Sequence, residues 1–190
     1  MNHKLKIAVI YGSTRAGRLC DKIASWAAAQ ISARPEFELD LVDPASQSAA
    51  HNPSGHAIAP EWLSLHLGEA DAFLVVTPEY NHGYPAALKS LIDSAGPEWH
   101  AKPVAFVSYG GISGGIRAAE QLRQVFAEMH AVTIRDSVTF SMAWEQFDEA
   151  GQLKHPARAE RQMKTVLNRL AWWATALREA RNKTPYAAAA

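Results

Sequence analysis

Ile7-Ala-Val-Ile-Tyr-Gly-Ser-Thr-Arg-Ala-Gly-Arg18 is the stretch of this chain that decides its fold. A short run rich in β-branched residues, Ile7–Tyr11, stops at a glycine and continues through hydroxyl side chains, a second glycine and two arginines. Apolar residues then recur with helical spacing over Arg18–Ser32. The stretch therefore predicts a buried strand that turns sharply into an amphipathic helix.

The same strand-then-helix pattern returns along the chain. Phe73–Thr77 and Val104–Ser108 are further continuous apolar runs, and a weaker strand is predicted at Ala131–Ile134. Phe37–Leu41 differs, because its apolar residues alternate with acids, which is typical of an edge strand with one solvated face. The pattern predicts an α/β fold, a flavodoxin-like three-layer sandwich with a five-stranded parallel sheet of order 2-1-3-4-5.

Helical stripes fill most of the chain between these strands. Beyond the first helix they are predicted at Pro60–Ala70, residues 88–95, residues 122–129 and residues 163–177. Asp43–Ala59 and Val138–Leu153 fall outside the pattern, and we expect both to be long loops at the surface or at an interface. The segments together predict one domain over residues 1–182, followed by a frayed tail over residues 183–190.

Composition excludes several classes of function. The 190 residues carry 19 basic and 19 acidic side chains, so no net field draws the protein to nucleic acid or to an anionic membrane. No apolar run is long enough for a secretory signal or a membrane span. A single cysteine, Cys20, excludes an internal disulfide and a Cys-rich metal site, and no other metal site is predicted. A cytoplasmic location is the expectation that fits these features.

The loop Gly12–Arg18 has the residues of an anion site. Glycine permits a tight turn, backbone N–H groups at a helix start point toward the anion, Ser13 and Thr14 offer hydroxyls, and Arg15 or Arg18 supplies charge. The plainer alternative is that Ser13 only caps the first helix and the arginines are solvated. The position directly after the first strand favours anion binding.

Comparison with known phosphate-binding motifs disfavours several classes of site. Ser13-Thr14 leaves no second glycine for the dinucleotide fingerprint G-x-G-x-x-G. The Walker A pattern matches both glycines but then requires Lys-Ser/Thr where Arg18-Leu19 stands, which disfavours an NTPase. A low-molecular-weight tyrosine phosphatase would carry its cysteine inside the loop, whereas Cys20 lies beyond it.

Two further loops are predicted at the same edge of the sheet. The first, Thr77–Pro85, begins Pro78, Glu79, Tyr80, Asn81, a rigid stretch whose aromatic ring and amide suit a planar heterocycle. The second, Ser108–Gly115, begins Ser108, Tyr109, Gly110, Gly111, and its glycines allow a ligand to approach the backbone closely. Taken singly, each loop could be turn chemistry alone. Together with the first loop they suit a flat ring with a phosphate, such as FMN.

With these three motifs the chain resembles the NAD(P)H-dependent FMN reductase family of flavodoxin-like flavoproteins. The resemblance runs from Lys6 to about Met129 through Gly-Ser-Thr-Arg-x-Gly-Arg at 12–18, Pro-Glu-Tyr-Asn at 78–81 and Ser-Tyr-Gly-Gly at 108–111. It implies a phosphate site at Ser13, Arg15, Gly17 and Arg18, and an isoalloxazine bordered by the other two motifs. It also implies a homodimer or homotetramer with the flavin near the subunit boundary.

The resemblance further implies a ping-pong reaction. NAD(P)H would give a hydride to FMN, and a small acceptor such as a quinone, a free flavin, an azo compound or an oxidised metal species would then take the electrons. No catalytic acid, base or nucleophile is expected, because the flavin carries the chemistry. A flavodoxin-type electron carrier is the main alternative, but such carriers are usually acidic. A phosphate-binding module without redox activity is a third reading.

Overall fold

Five parallel strands form the centre of the molecule, which is described here from a computed structural model over residues 4–48 and 60–189. The strands are β1 (Leu5–Tyr11), β2 (Phe37–Val42), β3 (Ala72–Pro78), β4 (Pro103–Tyr109) and β5 (Val132–Phe140). They are ordered β2-β1-β3-β4-β5, and every neighbouring pair is parallel. The predicted flavodoxin-like sheet is therefore confirmed.

Helices cover both faces of the sheet. They are α1 (Cys20–Ser32), α2 (Pro44–Ser48), α3 (Pro60–Glu69), α4 (Ala86–Asp93), α5 (Ile116–Glu128), α6 (Ala143–Gln146) and α7 (Pro156–Lys183). Short 3-10 turns occupy Pro97–Trp99 and Tyr186–Ala189. α1 and α7 pack on one face, and α3, α4 and α5 pack on the other. Within the described part of the chain, no helix combines the length and apolar character needed to cross a bilayer.

Alternation along each strand divides the core into two layers. Ile7 and Val9 of β1 face α1 and α7, whereas Ala8 and Ile10 face the opposite helices. β3 and β4 are buried along their whole length, and this is why their sequences read as continuous apolar runs. β2 is an edge strand, as predicted, but the expected alternation is only partly present, because Leu41 is exposed whereas both ends of the strand are buried.

The second layer is organised around Trp99, which is completely buried. Its ring packs edge-on against Phe73 at 4.7 Å and Phe126 at 5.4 Å between centroids. The indole N–H donates to the carbonyl of Ile92 at 3.1 Å, so burial leaves no polar group unsatisfied. Each large apolar side chain buried in this way contributes about 1.5–3 kcal/mol relative to exposure.

Several element bounds differ from the predictions. β5 runs on to Phe140, so residues 138–140 of the expected long loop belong to the sheet. The full strand was not predicted because polar residues such as Arg135 and Asp136 interrupt its apolar pattern. β5 is the second edge strand of the sheet, so it tolerates exposed positions. Two polar stretches also contain short helices, α2 and α6, where loops were expected.

The helix ends shift as well. α1 begins at Cys20 rather than Arg18, and α5 begins at Ile116, ahead of the predicted stripe. Residues 49–59 of the first predicted loop lie outside the described residues. In the segment expected to be a frayed tail, Tyr186–Ala189 form a 3-10 turn. The Tyr186 hydroxyl lies 2.9 Å from Nδ1 of His130.

Candidate functional site

The three loops that the sequence singles out meet at the carboxyl edge of the sheet. The Ser13 hydroxyl lies 2.8 Å from the Tyr80 hydroxyl, and the Arg15 guanidinium carbon lies 3.6 Å from the centre of the Tyr80 ring. The N–H of Glu79 donates to the carbonyl of Tyr109 at 3.0 Å. Each loop therefore contacts its neighbour directly, and the three lie side by side.

The loop from residue 12 to residue 18 leaves β1 through a position that only glycine fits. The N–H of Gly12 donates to the carbonyl oxygen of Val76 at 2.8 Å, and a Cβ on Gly12 would lie 2.7 Å from that oxygen. Cys20, where α1 begins, lies seven positions after Ser13, and Leu19 occupies the N-cap without a side-chain hydrogen bond. Ser13 therefore does not cap the helix, and the plainer reading of this loop is wrong on that point.

Free hydrogen-bond donors line the outer part of this loop. Within residues 4–48 and 60–189, the backbone N–H groups of Thr14, Ala16 and Gly17 have no acceptor at hydrogen-bonding distance. Nor does any carboxylate in those ranges pair with Arg15, which is exposed. Free backbone N–H groups in the same loop as an unpaired guanidinium are donors of the kind that bind a phosphate monoester.

Arg18 occupies a different environment from Arg15. Its guanidinium donates to both carboxylate oxygens of Asp43, to Asp21 at 2.7 Å and to the carbonyl of Ser13. Only 8% of its side chain is exposed, and the hydrogen bonds with Asp43 raise its pKa further. Because these partners occupy its N–H groups and balance its charge, Arg18 fixes the loop to the end of β2.

A two-residue turn projects Asn81 and His82 from the loop after β3. The N–H of Tyr80 donates to the carbonyl of Gly83 at 2.9 Å, and the N–H of Gly83 returns a bond to Tyr80 at 3.0 Å. Asn81 and His82 have φ values of 50° and 70°, the left-handed conformation that a two-residue turn of this kind requires and that Asn and His adopt more often than most residues. Gln121 of α5 holds the turn by donating to the carbonyl of His82 at 3.0 Å.

Glu79 contributes structure rather than an open carboxylate. Its side chain is only 7% exposed, and it accepts hydrogen bonds from the Arg117 backbone at 3.1 Å and the Arg117 guanidinium at 2.7 Å. Burial by itself raises the pKa of this carboxyl, but hydrogen bonds from Arg117 and Ser113 lower it below the usual value overall. Glu79 is therefore ionised, and it ties the loop after β3 to the start of α5.

The glycine-rich loop after β4 presents its backbone to the site. Gly115 has a φ of 85°, and a Cβ there would lie 2.6 Å from the backbone nitrogen of Tyr109. Ser108 is buried, with its hydroxyl 3.4 Å from that of Thr139. The side chain of Tyr109 turns inward beside Cys20, and burial raises the pKa of both groups. Neither the phenol nor the thiol is therefore available as an anionic nucleophile.

The sequence did not identify a fourth segment beside the site. The N–H groups of Met142 and Ala143 donate to the carbonyls of Gly111 at 2.9 Å and Gly110 at 3.1 Å. The outer edge of the Trp144 ring lies 3.7 Å from the position a Cβ would take on Gly111. The aromatic residues in the otherwise polar stretch 138–153 were the available signal, but the contact joins residues more than thirty positions apart.

The assembled site suits binding and electron transfer more than acid–base catalysis. It combines a positively charged loop with free N–H groups, an aromatic ring and glycine backbone, and the buried carboxylate of Glu79 is engaged by Arg117. These residues fit a planar aromatic ligand that carries a phosphate.

Comparison with known proteins also indicates a flavin-dependent reductase. The family model described as NADPH-dependent FMN reductase matches residues 5–145 of the chain. An NAD(P)H-dependent FMN reductase of Schizosaccharomyces pombe is 38% identical over 147 residues, which cover 70% of this chain and 72% of that protein. A quinone reductase of Escherichia coli is 32% identical over 147 residues, covering 70% of this chain and 76% of that protein.

Solved structures support the fold. FerB, a flavoenzyme NAD(P)H:(acceptor) oxidoreductase from Paracoccus denitrificans, superimposes with a TM-score of 0.67. The match covers 90% of this chain and 98% of that chain at 24% sequence identity.

Proposed function

The chain belongs to the NADPH-dependent FMN reductase family, and from that premise we propose that it is an oxidoreductase that binds FMN and transfers electrons from NAD(P)H to a small acceptor. The observation that carries the proposal is the meeting of the three loops, with unpaired donors on one and the Tyr80 ring on the next. The quinone reductase among the relatives supports a small-molecule acceptor.

The loop of residues 12–18 is the proposed phosphate site. Thr14, Ala16 and Gly17 would donate their backbone N–H groups, and Arg15 would supply the charge. Ser13 is turned toward Tyr80 and Arg18 toward Asp43, so both would act by holding the loop in shape. The charge on Arg15 makes it the residue whose loss should weaken phosphate binding most.

The ring would lie between the other two loops. Pro78, Tyr80 and Asn81 form one border, and the backbone of Gly110 and Gly111 forms the other. Glu79, Ser108 and Tyr109 would position these borders from inside the protein, since their side chains are buried or engaged.

When bound, FMN supplies the redox chemistry, because its ring accepts a hydride from NAD(P)H and passes on electrons. The residues of this chain bind and orient it, and the N–H groups around the site provide fixed dipoles that favour negative charge. No described side chain at the site needs to exchange a proton, since Glu79 is held ionised by Arg117 and the Cys20 thiol is buried.

The proposal is tested first by the absorption spectrum of the purified protein and by identification of the cofactor released on denaturation. A flavin spectrum, release of FMN and rapid NAD(P)H oxidation with menadione or ferricyanide are the expected results. A colourless protein that takes up no FMN would overturn the proposal. Bound FMN without NAD(P)H oxidation would instead indicate an electron carrier.

Replacement of Arg15 tests the phosphate site. Arg15→Ala should raise the Kd for FMN at least tenfold, because a hydrogen bond to a charged group contributes about 1.5–3 kcal/mol. The unfolding free energy of the apo protein should change by less than about 0.5 kcal/mol, since the side chain is exposed. Fluorescence titration of apo protein with FMN measures the first quantity. An unchanged Kd would contradict the phosphate assignment.

We also propose a homodimer or homotetramer, as the family resemblance implies. Sedimentation velocity of the FMN-loaded protein distinguishes these assemblies from a monomer of 20.8 kDa. A cytoplasmic location and the choice between NADH and NADPH stay predictions for measurement.

A further inference from the structure

Large apolar side chains stand exposed beside the glycine-rich loop. Ile112 is 87% exposed, Trp144 is 58% exposed, and Met142 is also exposed. We call these three residues the acceptor wall. All of them adjoin Gly111, either along the chain or through the Met142 hydrogen bond and the Trp144 contact described above. Exposed apolar groups concentrated at a binding site mark a surface that another molecule covers.

The fold holds Trp144 outward by construction. Ala143, the first residue of α6, and Phe147, the residue that follows the helix, are both buried, so α6 is anchored at its two ends and Trp144 between them is exposed. The preceding residue, Met142, has a φ of 46°, a left-handed conformation that is unfavourable for a residue with a side chain. Backbone strain of this kind persists where the surrounding structure enforces it and occurs often at functional sites.

The charges around the wall disfavour anions. The exposed carboxylate of Glu145 follows Trp144 directly, and the guanidinium of Arg117 is already bound to Glu79. Arg15 lies over Tyr80, a residue of the loop after β3. The N–H groups of the proposed phosphate site favour negative charge. At the acceptor wall itself, however, an oxyanion meets an apolar surface beside an exposed carboxylate, whereas a neutral flat ring can stack on the indole.

We propose that Trp144, with Ile112 and Met142, is the docking surface for the electron acceptor and selects neutral flat rings of the quinone class over oxyanions such as chromate. This inference rests on the proposed function and narrows its acceptor class. In the overall reaction the quinone gains two electrons and two protons, one hydride equivalent from NAD(P)H and one proton from solvent, and leaves as the hydroquinone.

The test compares Trp144→Ala and Trp144→Phe with Trp172→Ala in FMN-loaded protein. Trp172 is 62% exposed on α7, away from the site loops, and is the matched control. Menadione serves as the neutral ring. Ferricyanide serves as an anion that takes single electrons, two ions being reduced for each NAD(P)H oxidised with release of one proton.

We expect the ratio of kcat/KM for menadione to kcat/KM for ferricyanide to fall about tenfold in Trp144→Ala, in line with loss of an aromatic contact and its buried area. Trp144→Phe should recover most of the ratio, and Trp172→Ala should keep it. Calorimetric titration of the oxidised protein with menadione in the absence of NAD(P)H gives a readout independent of turnover. Its Kd should also rise about tenfold in Trp144→Ala.

An unchanged ratio and an unchanged Kd in Trp144→Ala would overturn the inference while leaving the reductase function intact. Equal loss with both acceptors, accompanied by dissociation in sedimentation velocity, would overturn it in favour of an interface between copies of this chain. Failure of the unaltered protein to oxidise NAD(P)H with either acceptor would reject the proposed function, and this inference with it.

Discussion

Two arginines three positions apart have opposite environments in this protein. Arg15 has no carboxylate partner among the described residues and rests on the Tyr80 ring, whereas Arg18 is bound to Asp43, Asp21 and the Ser13 carbonyl. Composition alone treats them as equivalent phosphate donors. The distinction depends on Asp43, which is 25 residues distant in sequence and reaches the loop only because β2 lies beside β1.

This difference predicts opposite behaviour on substitution. Arg18→Ala should lower the unfolding free energy of the apo protein by about 2–3 kcal/mol, because it leaves Asp43 partly buried without its partner. Chemical denaturation of the apo protein measures the change. In the Arg15→Ala variant the apo stability should be nearly that of the unaltered protein.

The comparison also discriminates between roles for Arg18. If Arg18→Ala lost FMN as severely as Arg15→Ala with no change in apo stability, Arg18 would be a direct phosphate ligand, as its place in the motif suggests. The Arg18→Lys variant should recover little stability, since an ammonium cannot make the paired bonds that the guanidinium makes to Asp43.

At the level of elements, the loop from β4 to α5 depends on glycine for two separate reasons. Gly115 has a left-handed backbone, and its Cβ position lies within 2.9 Å of three atoms of Ser108 and Tyr109. Gly114 has a similar backbone, and its Cβ position lies 2.4 Å from the Thr139 side chain. The glycine loop is therefore packed against the ends of both β4 and β5.

Alanine at Gly115 should lower the unfolding free energy by about 2–4 kcal/mol through strain and overlap. Alanine at Gly68 is the matched control, because it lies in helix α3 with only the Glu98 side chain near its Cβ position, at 4.0 Å. Gly68→Ala should stabilise the protein by about 0.5–1 kcal/mol. Urea denaturation of both variants provides the measurement, and equal effects at the two positions would contradict the packing argument.

At the scale of the whole molecule, Lys102 links the start of β4 to the end of α3, at the amino-terminal ends of the strands and away from the candidate site. It is buried just before β4 and donates to the carbonyls of Leu67 at 2.6 Å and Gly68 at 2.8 Å, at the end of α3. Burial, followed by repulsion from Arg181, lowers the pKa of Lys102 to about 8, against an ordinary value of 10.5. Asp71 and Glu98 oppose this shift only in part.

The contribution of Lys102 to stability should therefore increase with pH above about 8. Between pH 8 and 10.5 the unfolded chain holds a proton on Lys102 that the folded protein has released, so the folded state gains relative stability as pH rises. Below pH 8 both states are protonated, and the folded state carries the full cost of the buried charge. The unfolding free energy of the unaltered protein minus that of Lys102→Met should rise by about 1–2 kcal/mol from pH 7.5 to 9.5.

Denaturation at a series of pH values measures this difference, and the subtraction removes groups common to both proteins. A difference that stays constant over this range would show that Lys102 titrates near its ordinary pKa. The Kd for FMN should be the same in both proteins, because Lys102 lies at the amino end of β4 and the proposed site lies at the carboxyl end.

Local sequence pattern was sufficient for the sheet and for the choice of loops. Continuous apolar runs specify strands buried on both faces, alternation specifies an edge, and parallel strands bring their carboxyl ends to one side. These rules concern neighbouring residues, so β1, β3 and β4 and their loops were predictable. β5 was predicted only in part, because its polar edge positions break the apolar pattern.

The roles of individual side chains depended on the folded chain. Arg18 is paired with Asp43, and Glu79 is paired with Arg117. The Tyr109 side chain is buried beside Cys20. Trp144, in a stretch expected to be a loop, lies beside Gly111. Each outcome is set by a contact between residues distant in sequence. Hydrogen-bond geometry and burial arise from such contacts, and periodicity within one segment carries no information about them.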